Sequence, residues 1–138
     1  MVRKDLIAAR LERLRHYIKT LKSIREFGLE TFKKDVYLHA TAERYLHLSI
    51  ESLLDIGTHI IADLGLKKPD TYSEIFEILA DEGVISESLL REMEGMAGFR
   101  NILVHDYFRL DLDQVYKILQ KKLESMEKLA EAFAILAK

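Results

Sequence analysis

Residues 46–64 read LHLSIESLLDIGTHIIADL, and this stretch decides the fold class. Apolar side chains, together with one glycine, recur in it every three or four residues: Leu46, Ile50, Leu53, Gly57, Ile60 and Leu64. That spacing places them on one face of an α-helix, whereas a half-buried strand would alternate apolar and polar residues. We therefore predict one long helix over residues 36–64, which stops at Gly65.

The same helical spacing extends outward on both sides of this segment. The other predicted elements are a helix over 5–27 ending at Gly28, a short turn with Leu29 and Phe32, a helix capped by Asp70 or Thr71 and ending at Gly83, a fourth helix from Ser86 running into residues 100–107, and a fifth from Asp111 to the C-terminus. No strand-like alternation competes with them. We predict the all-α class, an up-and-down helical bundle of about four long helices plus a short one, in a single domain over 1–138.

Length, composition and charge exclude several classes of protein and several kinds of partner. At 138 residues one domain is expected, no apolar run approaches the ~18 residues of a membrane span, and no secretory signal is recognisable. A formal net charge of −2 excludes a broad basic face that grips long nucleic acid, so an RNA contact must be local. The absence of cysteine excludes disulfides and thiolate metal sites. We expect a cytoplasmic protein without a membrane partner.

Residues 100–107 read RNILVHDY and concentrate the chemistry of the chain. Arg100 stays charged at any physiological pH, and its fork of N–H donors matches phosphate oxygens. His105 gives or takes a proton near neutral pH. These two groups suffice to bind or cleave a phosphodiester without a metal. On spacing alone another interpretation stays open, in which the arginine is buried against an acid and the histidine caps a helix end.

On a helical wheel Arg100 falls on the apolar face of its helix. The residues that share this face are Leu89, Met93, Met96 and Leu103. The arginine stem therefore packs while its head reaches water, or the head is buried against a partner charge. Asn101 and His105 fall on a neighbouring face, so Arg100 and His105 do not converge easily on a straight helix.

Two arrangements bring Arg100 and His105 together. The helix ends near Val104 and His105 swings round, or two copies of the helix meet across a twofold axis. We expect a contribution from both, which makes a homodimer the natural functional unit. Arg100 and His105 are then expected to open into a shared, solvent-reachable notch at the subunit junction.

The block from Arg100 to Tyr107 resembles the R-x4-H-x-Y signature of HEPN-domain proteins, and the whole chain resembles their HepT-like group of small toxins. The similarity includes the long opening helix, the stretch Ala42-Glu43-Arg44-Tyr45-Leu46 and the stretch Leu53-Leu54-Asp55-Ile56-Gly57. It implies a HEPN-like bundle and a metal-independent endoribonuclease, the toxin of a type VII toxin–antitoxin system.

The resemblance also assigns roles to individual residues. Arg100, Asn101 and His105 are implied as catalytic, and Tyr107 as the tyrosine to which a nucleotidyltransferase antitoxin transfers AMP. Taken alone, Tyr107 also suits the half-wet edge of a core. No cofactor is implied. The expected partners are RNA, the antitoxin and a second copy of the chain, in a homodimer or a larger assembly with the antitoxin, but not DNA.

This set of residues suits attack of an RNA 2′-hydroxyl on the adjacent phosphorus, which leaves a 2′,3′-cyclic phosphate. His105 serves as general base for the hydroxyl or as acid for the leaving oxygen, and Arg100 stabilises charge on the non-bridging oxygens. Asn101 orients His105 or binds the phosphate. One histidine cannot hold and give a proton at once, so a second group is needed, and the other His105 of a dimer is a candidate.

Two further readings involve the segment around Glu43. His39, Glu43 and His47 recur every four residues, but their positions drift round the helix and no second acidic cluster completes a di-metal site, so no metal is predicted. Glu43 lies on the apolar side of its helix and needs a counter-charge. Arg100 is one candidate, which makes Glu43 a support of the active site, and another arginine across a helix is the alternative.

Two other functions compete with an RNase toxin. One is a non-catalytic HEPN adaptor that binds a nucleotidyltransferase or a nucleotide. The other is a plain helical oligomerisation module. The presence of both Arg100 and His105 argues against the plain module. It distinguishes the RNase toxin from the adaptor less well, because an adaptor that binds phosphate could keep both residues.

Overall fold

The computed structural model describes residues 3–137, apart from the side chain of Tyr107. Within that range every regular element is helical. The elements are α1 (Lys4–Ile24), α2 (Leu29–Lys34), α3 (Val36–Asp63), α4 (Tyr72–Asp81), α5 (Glu87–Glu92), α6 (Met96–His105), a 3₁₀ turn (Tyr107–Arg109), α7 (Leu112–Lys121) and α8 (Leu123–Leu136). The predicted all-helical class is confirmed.

The long helix α3 is the centre of the fold. It contacts α1, α2, α4, α6, α7 and α8, because apolar side chains occupy more than one of its faces. The residues on its core-facing stripes include Leu46, Ile50, Leu53, Ile56 and Ile60, all fully buried. A helix that is apolar on several sides must be covered on several sides, so the other helices pack around it.

Side-chain caps define where several helices begin. The Asp35 carboxylate accepts hydrogen bonds from the backbone N–H groups of Tyr37 and Leu38 at the start of α3. Thr71 caps α4, and the Glu74 side chain returns the bond to the backbone N–H of Thr71. These reciprocal bonds satisfy donors that have no partner within the helix. Of the two predicted caps for this helix, Thr71 is the N-cap residue.

The predicted fourth helix is wrong as a single element. Helix α5 ends at Glu92, and α6 starts at Met96, directly after Gly95, whose φ of +85° is in the left-handed region. Residues other than glycine rarely adopt that conformation, so a glycine between two helical stretches permits the break. The consequence is that α6 has its own direction, independent of α5.

The predicted fifth helix is also interrupted. At Lys122 the chain bends between α7, which packs on α2 and α3, and α8, which packs on α1, α3 and α5. The Lys122 ammonium donates to the backbone carbonyl of Glu92 at 2.6 Å, which ties the bend to the end of α5. Periodicity continues through such a bend and therefore did not indicate it.

No helix of the described residues is long and apolar enough to cross a membrane.

Candidate active site

Arg100 lies on the buried side of α6 and points at α3. Only 8% of the residue is exposed. Its Nε–H donates to Oε2 of Glu51 at 2.6 Å, and Nη2 donates to Oε1 of the same carboxylate at 3.2 Å. Nη1 donates to Oδ1 of Asn101 at 3.1 Å. Of the two predicted outcomes for this arginine, the structure has the one with a partner charge.

The face of the guanidinium is covered as well as its edge. The ring centroid of Tyr72, the first residue of α4, lies 4.7 Å from Cζ of Arg100, within the range of a cation–π contact. The hydrogen bond to Glu51 raises the pKa of Arg100 above its usual range, against the opposing effect of burial. The guanidinium is therefore a permanent cation held between α3, α4 and its own helix.

His105 has the opposite environment. It is the last residue of α6 and is exposed. Asp106 follows with φ of −138° and ψ of 58°, which takes the chain out of the helix. The prediction that the helix ends near Val104 is thus met within one residue. On a regular helix, residues 100 and 105 are separated by about 140°.

The expected open notch shared by Arg100 and His105 is wrong for Arg100 in the single chain. The apolar face of α6 turns toward α3 and takes Arg100 with it, whereas His105 faces water. The structure brings Arg100 together with Asn101, and it gives no hydrogen bond between His105 and Asn101. Asn101 therefore orients the arginine in this chain rather than the histidine.

Tyr107 is the first residue of the 3₁₀ turn that follows α6. The expectation that its phenol receives AMP concerns a side chain outside the described part of the structure. The neighbouring Phe108 is fully exposed.

Glu43 is buried on α3, as the sequence indicated, and a hydrogen bond of 3.0 Å joins its Oε2 to Nδ1 of His39. The carboxylate that Arg100 engages is that of Glu51. The support of the site by Glu43 stays a prediction.

His47 turns toward Arg44, whose Nη1 donates to its Nδ1 at 3.2 Å. Among the described residues no group of three or more His, Asp or Glu side chains is arranged to hold a metal.

A groove of about 390 Å³ lies between the beginning of α3 and the end of α6. It is lined by Ala40, Glu43, Arg44, His47, Leu103 and Val104. Burial lowers the pKa of His47, an effect that Glu51 opposes and that Arg44 and Arg100 reinforce, so this imidazole favours its neutral form. Arg44 is exposed and adds a positive charge at the rim. The groove therefore presents the imidazole of His47 and the guanidinium of Arg44 to a ligand.

Sequence reasoning missed Glu51 and Tyr72, the two residues that hold Arg100 from other helices. A weak signal existed for Glu51, which is one of two carboxylates, with Asp55, in the centre of the long helix. No signal pointed to Tyr72, because its place beside Arg100 depends on how α4 packs against α3 and α6.

Comparisons with known proteins place this chain in a family. The family model described as "Ribonuclease HepT-like" matches residues 14–133. The mRNA nuclease HepT of Shewanella oneidensis is 31% identical over 123 residues, which cover 89% of this chain and 92% of that protein. The tRNA nuclease HepT of Aphanizomenon flos-aquae is 29% identical over 119 residues, which cover 86% of this chain and 81% of that protein.

A solved structure agrees in fold along nearly the whole chain. It contains the tri-AMPylated HEPN toxin of Shewanella oneidensis in complex with its MNT antitoxin, and the toxin superposes with a TM-score of 0.85 at 30% sequence identity. The match covers 97% of this chain and 98% of that one. The family expected from residues 100–107 is confirmed: the chain belongs to the HepT-like ribonucleases of the HEPN fold.

Proposed function

We propose that this chain is the endoribonuclease toxin of a toxin–antitoxin pair. The observation that carries the proposal is the disposition of the R-x4-H pair: His105 lies exposed at the end of α6, while Arg100 is buried on another face of the same helix and held by Glu51 with its charge permanent. Two relatives that align along most of their own length are named RNA nucleases, which supports the same reaction class.

The chemistry assigned to the site is an internal transesterification of RNA. A base removes the proton of the 2′-hydroxyl, the oxygen attacks phosphorus to form the cyclic phosphate, and an acid gives a proton to the leaving 5′-oxygen. His105 supplies one of these proton transfers. The reaction needs a ribose 2′-hydroxyl, so DNA is not cleaved. It needs no metal, so chelators do not change its rate.

Arg100 is the residue that stabilises charge on the phosphorane. Three of its five N–H groups bond to Glu51 and Asn101 among the described residues, which leaves two donors for non-bridging phosphate oxygens. Asn101 contributes by holding Nη1 of the arginine. The phosphodiester already carries one negative charge, and further charge develops on its non-bridging oxygens in the transition state, where a preorganised donor is most effective.

A second copy of the chain completes the site in this proposal. Arg100 and His105 face about 140° apart on α6, so a helix from another protomer is the simplest source of the missing proton-transfer group. Apolar side chains exposed near this end of the fold support such a contact: Val36, Tyr37, Val104 and Phe108. The homodimer is therefore part of the proposed active unit.

The assignment of His105 is tested with a short RNA and its DNA analogue. We expect cleavage of RNA alone, unchanged by EDTA, and a fall of roughly 10²–10⁴-fold in rate for His105→Ala. His16→Ala, which changes an exposed histidine on α1, is the matched control and keeps the parent rate. Cleavage by His105→Ala at the parent rate contradicts the assignment.

We further propose that a nucleotidyltransferase antitoxin silences the chain by transferring AMP to Tyr107. The related toxin in the solved complex is tri-AMPylated and bound to its MNT antitoxin, which supports this mode of control. An added phosphate ester brings negative charge close to Arg100 and His105 and competes with substrate for the same donors.

Mass spectrometry after co-expression with such an antitoxin tests the modification. We expect mass additions of whole AMP units on the parent and none on Tyr107→Phe. Tyr37→Phe, which alters an exposed tyrosine of α3, is the control and retains the additions. Additions that persist on Tyr107→Phe show that another residue is modified.

A non-catalytic adaptor that binds a nucleotidyltransferase is the second candidate. The observation that favours it is the burial of Arg100 behind Glu51, which limits access to the cation in the single chain. Growth on expression of the chain alone separates the two functions. Arrest that is relieved by His105→Ala supports the nuclease, and unimpaired growth with no RNA cleavage supports the adaptor.

A further inference from the structure

The guanidinium of Arg100 is restrained on one edge, at one corner and on one face. Nε and Nη2 form one edge of the planar group, and both donate to the single carboxylate of Glu51. Nη1 donates to Asn101 within the same helix. The ring of Tyr72 lies over the face. Rotation about the arginine side-chain bonds would break at least one of these contacts.

From this geometry we propose that Glu51 and Tyr72 are positioning residues of the ribonuclease, which hold the guanidinium of Arg100 so that its two remaining N–H groups meet the scissile phosphate. The inference rests on the proposed function and adds two residues to it. Neither belongs to the R-x4-H-x-Y motif, and each comes from a different helix, α3 for Glu51 and α4 for Tyr72.

The exposure of Glu51 argues against a role in stability alone. Its side chain is 42% exposed, whereas that of Arg100 is 9% exposed. An ion pair with one half-exposed partner adds little to folding stability, because water screens it. A two-point hydrogen bond to a planar fork nevertheless defines direction strongly. The pair therefore contributes orientation to the arginine more than stability to the fold.

Orientation matters for a group that must meet charge as it develops. Arg100 lies among apolar side chains of α6, and without Glu51 its flexible stem would have several rotamers to choose from. Misplacement by about 1 Å is enough to lower a catalytic rate by roughly 10²-fold. Tyr72 limits motion perpendicular to the guanidinium plane, which the carboxylate does not control.

Four variants and one control test the proposal with single-turnover cleavage of a defined RNA oligonucleotide. We expect Glu51→Gln to lower the rate constant of cleavage by roughly 10–100-fold with KM close to the parent, and Glu51→Asp to regain part of the loss. Tyr72→Leu is expected to lose about 3–10-fold, and Tyr72→Phe, which keeps the ring, to match the parent.

Asp55→Asn is the matched control. Asp55 lies one turn after Glu51 on α3, is exposed to a similar degree and pairs with Arg10 instead of Arg100. It is expected to keep the parent rate. A parent rate in Glu51→Gln, or an equal loss in Asp55→Asn, overturns the proposal. A loss in Glu51→Gln that follows the fraction of unfolded protein in a thermal melt also overturns it.

A measurement without RNA separates this inference from the proposed function. In nitrogen-15 spectra the Nε–H signal of Arg100, identified by its absence in Arg100→Lys, is expected to exchange slowly with water in the parent and in Asp55→Asn. Fast exchange in Glu51→Gln supports the positioning role, and unchanged exchange contradicts it. If the parent does not cleave RNA, the proposed function fails, while this signal still decides whether Glu51 holds the arginine.

Discussion

Arg100 and His105 lie on the same helix and have opposite environments. The arginine is buried and held by Glu51, Asn101 and Tyr72, whereas the histidine is exposed where α6 ends. Electrostatic stabilisation requires a donor whose direction does not change during the reaction. Proton transfer requires a group that substrate and water can reach. The two environments suit these two roles.

This contrast predicts different costs of substitution at the two positions. Arg100→Ala removes the hydrogen bonds to Glu51 and Asn101 and the packing of the buried arginine stem. We therefore expect the free energy of unfolding to fall by about 1–2 kcal/mol. His105→Ala changes an exposed side chain and should remain within about 0.5 kcal/mol of the parent. Urea denaturation followed by circular dichroism measures both. A larger loss in His105→Ala than in Arg100→Ala contradicts the described burial.

At the level of the elements, two glycines shape the site. One allows α6 to take its own direction, and the other allows α4 to pack closely on α3. Gly95 precedes α6 in a left-handed conformation, three residues after the end of α5, so α6 turns independently of α5. Gly57 on α3 lets α4 approach closely, and α4 begins with Tyr72. The contact between Tyr72 and Arg100 thus depends on a helix pair that a glycine allows to come together.

A substitution at Gly57 tests that close approach. A Cβ atom there would lie 2.7 Å from Cγ2 of Ile75 and 3.2 Å from Cδ1 of Leu79, so Gly57→Ala forces α3 and α4 apart. We expect a loss of about 1–3 kcal/mol in the free energy of unfolding. Gly98→Ala is the matched control, because a Cβ atom at that helical position meets nothing within 4 Å, and it should gain about 0.4–1 kcal/mol. Equal effects of the two variants in urea denaturation rule out the close contact.

At the level of the whole molecule, the site is assembled from three helices distant in the chain. Glu51 is 49 residues before Arg100, and the two meet because α3 is long enough to contact most of the other helices. One turn before Glu51 on α3, His47 lies 3.9 Å from the Glu51 carboxylate and lines the groove between α3 and α6. The acidic overall charge is compatible with this arrangement, because the positive groups are local.

The burial of His47 predicts how stability depends on pH. Its pKa is lowered in the folded state, chiefly by burial, so the unfolded chain binds a proton more readily than the folded one. Stability is therefore lost as the pH falls through the unfolded value of about 6.5. Urea denaturation at pH ~7.5 and ~5.5 should show this fall in the parent and a smaller one in His47→Gln. His16→Gln, with an exposed histidine, is the control, and a fall of the same size in His47→Gln as in the parent contradicts the assignment.

The sequence alone was sufficient for the helical class, the bounds of α3 and the family, and it narrowed the cap of α4 to Asp70 or Thr71. Each of these depends on residues close together in the chain, such as the three-and-four spacing of residues 46–64 or the block 100–107. The position of Arg100 on an apolar helix face predicted either a snorkelling head or burial against a partner charge, and the structure has the second. Local spacing carries such information because helix geometry converts it directly into a face or an end.

Only the tertiary structure decided which acid meets Arg100, which ring covers it and where the helices break. Glu43 and Glu51 are both acidic residues of α3, and helical spacing alone could not rank them as partners of an arginine on another helix. The packing of α6 and α4 against α3 selected Glu51 and Tyr72. The breaks at Gly95 and Lys122 also follow from packing, because each gives the chain a new direction that covers another part of the core. Periodicity describes the face of a helix, but its neighbours are set by side-chain packing over the whole chain.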